Sequence, residues 1–243
     1  MNLQLATDDP VWYVAYGSNM SAARFGCYIS GGRPRGARRT YLGCRDPSPP
    51  RRHIGIHLAG GLTFAGESRV WGGRMAFYHP HLDGELAARA YLLTFGQLSD
   101  VVAQEARRPV RSDLALDSGV DRQWPVPSLV YETLLNLDDR DGVSMFTITS
   151  LQNLEPTTPS APYLRTMLDG LGEAFGWTAE QRVHYLLRAP GVTPAWSAGR
   201  LVELCDGEPS EVDAELDGRG DPARDVGVHD LGAGLVDDAD GHH

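Results

Sequence analysis

The negative charge of this 243-residue chain is concentrated at its C-terminal end. Residues 1–202 carry 20 arginines against 19 acidic residues, whereas residues 203–243 carry 2 arginines against 13 acidic residues, so almost all of the net charge of −10 lies in the last segment. That segment is poor in aromatic and large aliphatic residues, so it cannot bury enough apolar surface to offset the entropy cost of ordering it. The sequence therefore predicts one folded domain over residues 1–202 and a disordered acidic tail over residues 203–243.

The composition also excludes several classes of protein. Every basic residue is arginine, so neither a Schiff-base lysine nor a P-loop lysine is available. No apolar run approaches the ~20 residues that span a bilayer, and the N-terminus lacks the pattern of a signal peptide. The three cysteines, Cys27, Cys44 and Cys205, are odd in number and widely spaced, which favours free thiols in a reducing compartment. We therefore expect a cytoplasmic protein that does not bind membranes.

Short strand-like runs are interrupted unevenly by helical patterns. Strands are predicted at residues 11–16, 53–58, 62–65, 70–78, 88–93, 128–135 and 143–149. Helices are predicted at residues 21–29, from 94 or 96 to 105, at 163–175 and at 178–187. Because the strands do not alternate regularly with helices, the sequence indicates an α+β fold and not a doubly wound sheet.

The most specific local feature is the polar turn Tyr16-Gly17-Ser18-Asn19 between a buried strand and a helix. Such a turn exposes backbone N–H groups at a helix N-terminus, where they can bind a carboxylate or a developing oxyanion. The same residues also suit an ordinary connection, with Gly17 providing the dihedral angles and Ser18 or Asn19 the N-cap. The residues alone leave both interpretations open.

The run Tyr16-Gly17-Ser18-Asn19-Met20 resembles the signature of the γ-glutamylcyclotransferase-like family. Three later features follow in that family's order: the Trp71-Gly72-Gly73 strand, a strand and helix ending at Gln104-Glu105, and a helix at Tyr163. The resemblance covers about residues 11–188 and implies a small mixed β-barrel flanked by helices. It also implies a reaction in which the α-amine of a γ-glutamyl amine or amide attacks its own γ-carbonyl. The products would be 5-oxoproline and a released amine or amino acid.

The resemblance implies a role for each matching residue. Glu105 would be the catalytic general acid/base, and the substrate would be bound by Tyr16, Gly17, Ser18, Asn19, Met20, Gly72, Gly73 and Tyr163. When the substrate supplies its own nucleophile, the enzyme has only three tasks: it folds the substrate, moves a proton and stabilises the oxyanion. One partly buried carboxylate can move that proton. We therefore expect neither a metal nor a cofactor.

These residues also have structural explanations. Glu105 could pair on the surface with Arg107 or Arg108, the double glycine could form a bulge, and Tyr163 could be the first core residue of its helix. The chain also departs from the family pattern, with Val102 where an Asp is common and Ala106 where a Gly is usual. These departures from the family pattern bear on the identity of the substrate more than on the fold.

A hydrolase remains the first alternative function. The same pocket could hydrolyse an amide or acyl group, with Glu105 activating water. A metal-dependent version would use the polar residues His53, His57, His79, His81 and Asp83. Histidines without Cys or Glu at ligand spacing are more typical of solvated or hydrogen-bonded side chains.

A binding module is the second alternative. Residues 33–52 contain seven arginines, which could grip nucleic acid or an acidic partner. Base stacking needs interleaved aromatic residues, and only Tyr41 is present. A solvated surface is the more usual state of such a segment. We therefore expect a small γ-glutamyl substrate as the ligand, and no nucleic acid.

The separation of charge also generates a prediction about truncation. The domain is nearly neutral, and the acidic tail would repel an anionic glutamyl substrate. A chain cut after Val202 should therefore keep its catalytic activity, measured as product formed per enzyme. A large loss of activity would show that residues 203–243 take part in function.

Overall fold

The computed structural model describes residues 3–35, 37, 39–68, 73–117, 119–128 and 130–206. The strands are β1 (Pro10–Ala15), β2 (Arg52–Ala59), β3 (Gly61–Ser68), β4 (Gly73–His79), β5 (Glu85–Thr94), β6 (Gln123–Pro125), β7 (Thr133–Asn136) and β8 (Met145–Thr149). The helices are α1 (Ala22–Ser30), α2 (Phe95–Glu105), α3 (Ala161–Phe175), α4 (Ala179–Leu187) and α5 (Ala198–Asp206), and a 3₁₀ turn spans Ser18–Met20. The α+β class is confirmed.

Strand β1 lies in the middle of a six-stranded mixed sheet. The strand order is β2-β5-β1-β8-β7-β6, and β1 runs parallel to β8 and antiparallel to β5. Alternate side chains of β1 enter two cores: Trp12 and Val14 pack on the face that α3 and α4 cover, while Val11 and Tyr13 pack on the face of α1 and α2. Because both faces are covered, β1 consists almost entirely of apolar residues.

The described strands do not form the closed barrel that the family resemblance implies. Strands β3 and β4 pair only with each other, as a separate two-stranded sheet. The side chain of Thr149 joins this hairpin to β8, because its Oγ1 accepts from the N–H of Tyr78 at 3.0 Å and donates to the Tyr78 carbonyl at 2.9 Å. A side-chain bridge therefore replaces a strand ladder at this point.

Capping interactions fix the ends of the predicted helices. Thr94 and Gln97 exchange hydrogen bonds at 3.1 Å at the start of α2, and Thr178 and Gln181 form a second capping box at the start of α4. Helix α2 ends at Glu105. Two features differ from prediction: the short strand β6 lies where no strand was predicted, and the strand expected from residue 128 begins only at Thr133.

Helix α5 continues past the predicted domain boundary at Val202. Its Leu201 is fully buried, and Leu204 and Cys205 pack against the core that α3 and α4 share. The predicted tail from residue 207 onward lies outside the described residues. Among the helices that are described, none combines the length and apolar character needed to cross a membrane.

Because α5 extends beyond Val202, a truncation at Val202 should be compared with one at the end of the helix. A chain ending at Val202 loses the apolar contacts of Leu204 and Cys205, whereas a chain ending at Asp206 keeps them. We expect the shorter chain to be less stable by about 1–2 kcal/mol, measured by urea unfolding of both chains. Equal stability of the two would show that the last turn of α5 adds nothing to the fold.

Candidate active site

A narrow cavity opens where β1 ends and the chain turns towards α1. The turn residues Gly17, Ser18 and Asn19 line it, together with Glu105 and several tyrosines. Its volume is about 30 Å³, compared with the roughly 10–15 Å³ that a single water requires. The cavity thus accepts a small polar group, and the rest of a ligand would extend beyond it.

Glu105 and the turn, which are far apart in sequence, meet directly in this cavity. The Asn19 side-chain amide donates to Glu105 Oε1 at 3.0 Å and to the hydroxyl of Tyr13 at 3.1 Å. Glu105 is partly buried, whereas Asn19 is only 7% exposed. The Asn19 Oδ1 atom accepts no hydrogen bond from the described residues, so a buried acceptor remains for a donor on a ligand.

Tyr163 closes the cavity from the α3 side. Its hydroxyl accepts a hydrogen bond from the Ala76 N–H at 3.0 Å, and burial raises its pKa to about 12, so the phenol is neutral at physiological pH. A Cβ at Gly17 would lie 2.7 Å from the Tyr163 hydroxyl oxygen. Glycine is therefore required for the turn to approach Tyr163 this closely.

Two side chains of β5 bind the backbone carbonyl groups of the turn. The buried guanidinium of Arg89 donates to the Met20 carbonyl at 2.9 Å, and the hydroxyl of Tyr91 reaches the Asn19 and Met20 carbonyls at 3.0 and 3.1 Å. Arg89 also pairs with Glu173 of α3 at 2.6 Å, and Glu173 accepts from the Ala22 N–H at the start of α1. One ion pair thus connects β5, α3 and α1 around the turn.

Neutral phenols surround the Glu105 carboxylate. Burial raises the pKa of Tyr13, and the charge of Glu105 raises it further. Burial also holds the pKa values of Tyr16 and Tyr131 well above their usual range. Tyr16 donates to the Ile148 carbonyl at 2.7 Å. The wall of the cavity is therefore polar and uncharged.

The structure brings together most of the residues that the family resemblance implied, but not all. Met20 is fully buried in the core, and it contributes its carbonyl to the Arg89 contact. Gly73 begins β4, which approaches the turn through Ala76 instead, and Gly72 lies outside the described residues. The roles of these residues in binding substrate remain predictions.

Three residues at or beside the cavity were not predicted from the sequence: Tyr13, Tyr131 and Arg89. Tyr13 belongs to a strand that was predicted to be buried. Tyr131 belongs to a segment that was predicted to be a strand and is a loop in the structure. Arg89 interrupts an otherwise apolar β5, and a charged residue within a buried run is the signal that could have identified it.

Two of the four histidines proposed for a metal site have other partners. His53 Nδ1 lies 3.2 Å from Arg89, and His57 Nδ1 lies 2.9 Å from a carboxylate oxygen of Glu85. Within the part of the chain that the structure describes, no three His, Cys, Asp or Glu side chains are grouped to hold a metal ion.

Comparisons with known proteins give the following similarities. No family model matches the chain. The chain is 31% identical over 202 residues to histone deacetylase 5 of Arabidopsis thaliana, a match that covers 74% of this chain and 30% of that protein. It thus spans less than a third of that relative's length.

Three solved structures match the chain at low identity and with TM-scores below 0.5. One is a gamma-glutamyl cyclotransferase, with 14% identity, 87% of this chain and 100% of that chain covered, and a TM-score of 0.47. An uncharacterized protein from Homo sapiens gives 17% identity, coverage of 87% and 99%, and a TM-score of 0.46. YkqA from Bacillus subtilis gives 19% identity, coverage of 75% and 56%, and a TM-score of 0.45.

The close packing of α3 on the turn can be tested with two matched glycine-to-alanine substitutions. A Cβ at Gly170 would lie 2.6 Å from backbone atoms of Met20 and Ser21, whereas a Cβ at Gly26 of α1 would meet nothing within 4 Å. We expect Gly170→Ala to destabilise the protein by about 1–3 kcal/mol and Gly26→Ala to stabilise it by about 0.5–1 kcal/mol. Thermal unfolding measures both, and a neutral Gly170→Ala would contradict the described contact.

Proposed function

We propose that the protein is a cyclotransferase that cleaves a γ-glutamyl amine or amide. Glu105 is the general acid/base, and the turn formed by residues 16–19 anchors the substrate. The observation that carries the proposal is the 3.0 Å hydrogen bond from the Asn19 amide to Glu105 inside one cavity. It places a carboxylate beside the turn whose sequence resembles the γ-glutamylcyclotransferase-like signature.

The proposed reaction needs one proton acceptor near the substrate amine. The substrate's α-ammonium donates a proton to Glu105, and the free amine attacks the γ-carbonyl carbon to form the ring C–N bond. Glu105 then gives this proton to the leaving nitrogen, and the γ C–N bond breaks. The ring nitrogen loses a second proton, which the released amine takes up, so that it departs as an ammonium ion. The products are 5-oxoproline and an amine, and no other reactant is consumed. The unpaired Asn19 Oδ1 is an acceptor for a remaining ammonium hydrogen.

The tyrosine wall suits this chemistry. A charged wall would either repel or neutralise Glu105, whereas the neutral phenols leave it free to exchange a proton with the substrate. Little water fits in a cavity of about 30 Å³, so the electrostatic effect of the turn's dipoles on the reacting carbonyl is only weakly screened. Both properties come from the burial of the tyrosines around the turn.

Hydrolysis of an amide is the second candidate. The 31% identity to a protein named histone deacetylase 5 is the observation that favours it. In this alternative Glu105 would activate a water molecule in place of the substrate amine. An acetyl-lysine peptide is therefore included in the substrate panel below.

We also propose that the protein works in the cytoplasm on a small molecule, without nucleic acid or membrane. The free thiols Cys27, Cys44 and Cys205 support a reducing compartment. Two arginines of the 33–52 segment make contacts within the protein: Arg45 pairs with Asp100 at 2.8 Å, and Arg39 donates to the Gln104 carbonyl at 3.3 Å. These contacts support a structural use of the segment.

A substrate panel tests the proposed function. Purified protein is incubated with γ-glutamyl dipeptides, γ-glutamyl amines and an acetyl-lysine peptide, and 5-oxoproline and acetate are measured. We expect 5-oxoproline from at least one γ-glutamyl compound, and we expect Glu105→Gln to lower kcat by at least about 100-fold, because the proton acceptor is lost. Glu155→Gln, at an exposed position, is the matched control and should be as active as the unmodified protein.

Two outcomes would decide against the proposal, and a third would reveal that the variants had lost their structure. Acetate without 5-oxoproline would support hydrolysis. Full activity of Glu105→Gln would show that Glu105 is not the general acid/base. Equal losses in Glu105→Gln and Glu155→Gln would point to a general loss of structure, which thermal unfolding of both variants would reveal.

A further inference from the structure

Tyr13 of β1 lines the candidate cavity, and its ring packs in the core behind that cavity. Only 3% of the residue is exposed, and the ring stacks on Phe25 of α1 with the two centroids 5.3 Å apart. Its hydroxyl accepts a hydrogen bond from the side-chain amide of Asn19 at 3.1 Å. The phenol is therefore held in place both by its ring and by its oxygen.

The Asn19 amide determines the role of the Tyr13 hydroxyl in this contact. The amide nitrogen carries two hydrogens, and it donates to the Tyr13 oxygen at 3.1 Å and to Oε1 of Glu105 at 3.0 Å. The reverse orientation of the amide would place its oxygen against an oxygen of the Glu105 carboxylate, which only accepts hydrogen bonds. Tyr13 is therefore the acceptor of this hydrogen bond, and its own proton points elsewhere.

The proton of the Tyr13 hydroxyl is a buried donor. Among the residues that the structure describes, none accepts a hydrogen bond from it. Two other tyrosines of the cavity differ in this respect, because Tyr16 and Tyr131 donate to backbone carbonyls at 2.7 and 3.3 Å. Burial holds the pKa of Tyr13 well above its usual range, so the hydroxyl keeps its proton. An oxygen of a ligand in the cavity would satisfy this donor.

We propose that Tyr13 is a catalytic residue that donates a hydrogen bond to the γ-carbonyl oxygen of the substrate. This inference rests on the proposed function, in which that oxygen becomes negative when the substrate's amine attacks the carbonyl carbon. Tyr13 stabilises the oxyanion and keeps its own proton, so the proton transfers through Glu105 are unchanged. The carbonyl then re-forms as the γ C–N bond breaks. A fixed donor in a small buried cavity acts most strongly on the charge that develops in the transition state.

The neighbouring acceptor on Asn19 supports this assignment. Its unpaired Oδ1 and the proton of Tyr13 belong to two side chains that are hydrogen-bonded to each other, so an acceptor and a donor lie close together. The tetrahedral intermediate presents the complementary pair, because one carbon carries both the oxyanion and the attacking nitrogen with its hydrogens. A carboxylate has only acceptors, so it would match Tyr13 and leave Asn19 Oδ1 unpaired.

Tyr13→Phe tests the proposal, because it removes the hydroxyl and keeps the ring that stacks on Phe25. With an active γ-glutamyl compound, we expect kcat to fall by about 100-fold, as for the loss of one oxyanion donor, and KM to change by less than about 3-fold. Tyr185→Phe is the matched control. The Tyr185 hydroxyl accepts from the Ala87 N–H at 3.1 Å outside the cavity, so its removal should leave kcat unchanged.

A second variant, with 3-fluorotyrosine at position 13, separates donation to the substrate from the contact with Asn19. Tyr13→Phe also removes the acceptor of the Asn19 amide, whereas 3-fluorotyrosine keeps the hydroxyl as a stronger donor and a weaker acceptor. We expect its kcat to equal or exceed that of the unmodified protein. This variant also tests the role of the hydroxyl if Tyr13→Phe does not fold, which thermal unfolding of each variant shows.

The outcomes separate this inference from the proposed function. If 5-oxoproline is formed and a folded Tyr13→Phe keeps its kcat within about 3-fold, the role of Tyr13 is overturned and the proposed function stands. A kcat that falls with 3-fluorotyrosine, or that falls equally in Tyr13→Phe and Tyr185→Phe, also overturns the inference alone. If no γ-glutamyl compound yields 5-oxoproline, the proposed function fails, and the inference fails with it because the oxyanion is not formed.

Discussion

The ion pair between the buried Arg89 and the solvent-accessible Glu173 is the interaction on which the candidate site depends. Arg89 binds the Met20 carbonyl, Glu173 accepts from the first N–H of α1, and the two side chains meet at 2.6 Å. Each charge is therefore satisfied by the other and by the backbone of the turn. Removing Glu173 would leave the buried charge of Arg89 without its carboxylate partner, which is more costly than losing a fully exposed salt bridge.

A second support fixes Glu105 from the opposite side. Helix α2 begins in the Thr94 capping box, and its last turn packs against the Arg-rich segment through Gln104. The two supports come from separate parts of the chain, and they meet at the hydrogen bond between Asn19 and Glu105. The geometry of the site is thus set by rigid elements on both sides, which is what proton transfer in a small cavity requires.

Local features were predictable from the sequence because their causes are local. The β1 strand, the turn and α1 each follow from neighbouring residues. The pairing of β1 with β5 and β8, and the separation of the β3–β4 hairpin from the main sheet, depend on contacts between distant residues. Tyr131 and α5 were missed for the same reason: Tyr131 lies in a loop, and the packing of α5 on α3 and α4 is not visible in its own short pattern. The distribution of charge along the sequence identified the acidic segment. It did not predict that the folded domain extends through the last turn of α5.

The central claim is that the substrate's own amine, and not water, attacks the γ-carbonyl beside Glu105. The most direct measurement is the reaction of an active γ-glutamyl compound in H₂¹⁸O, followed by mass spectrometry of the products. Cyclisation predicts 5-oxoproline without ¹⁸O, because no water enters the new bond. Glutamate carrying one ¹⁸O would show hydrolysis in the same cavity and would contradict the claim.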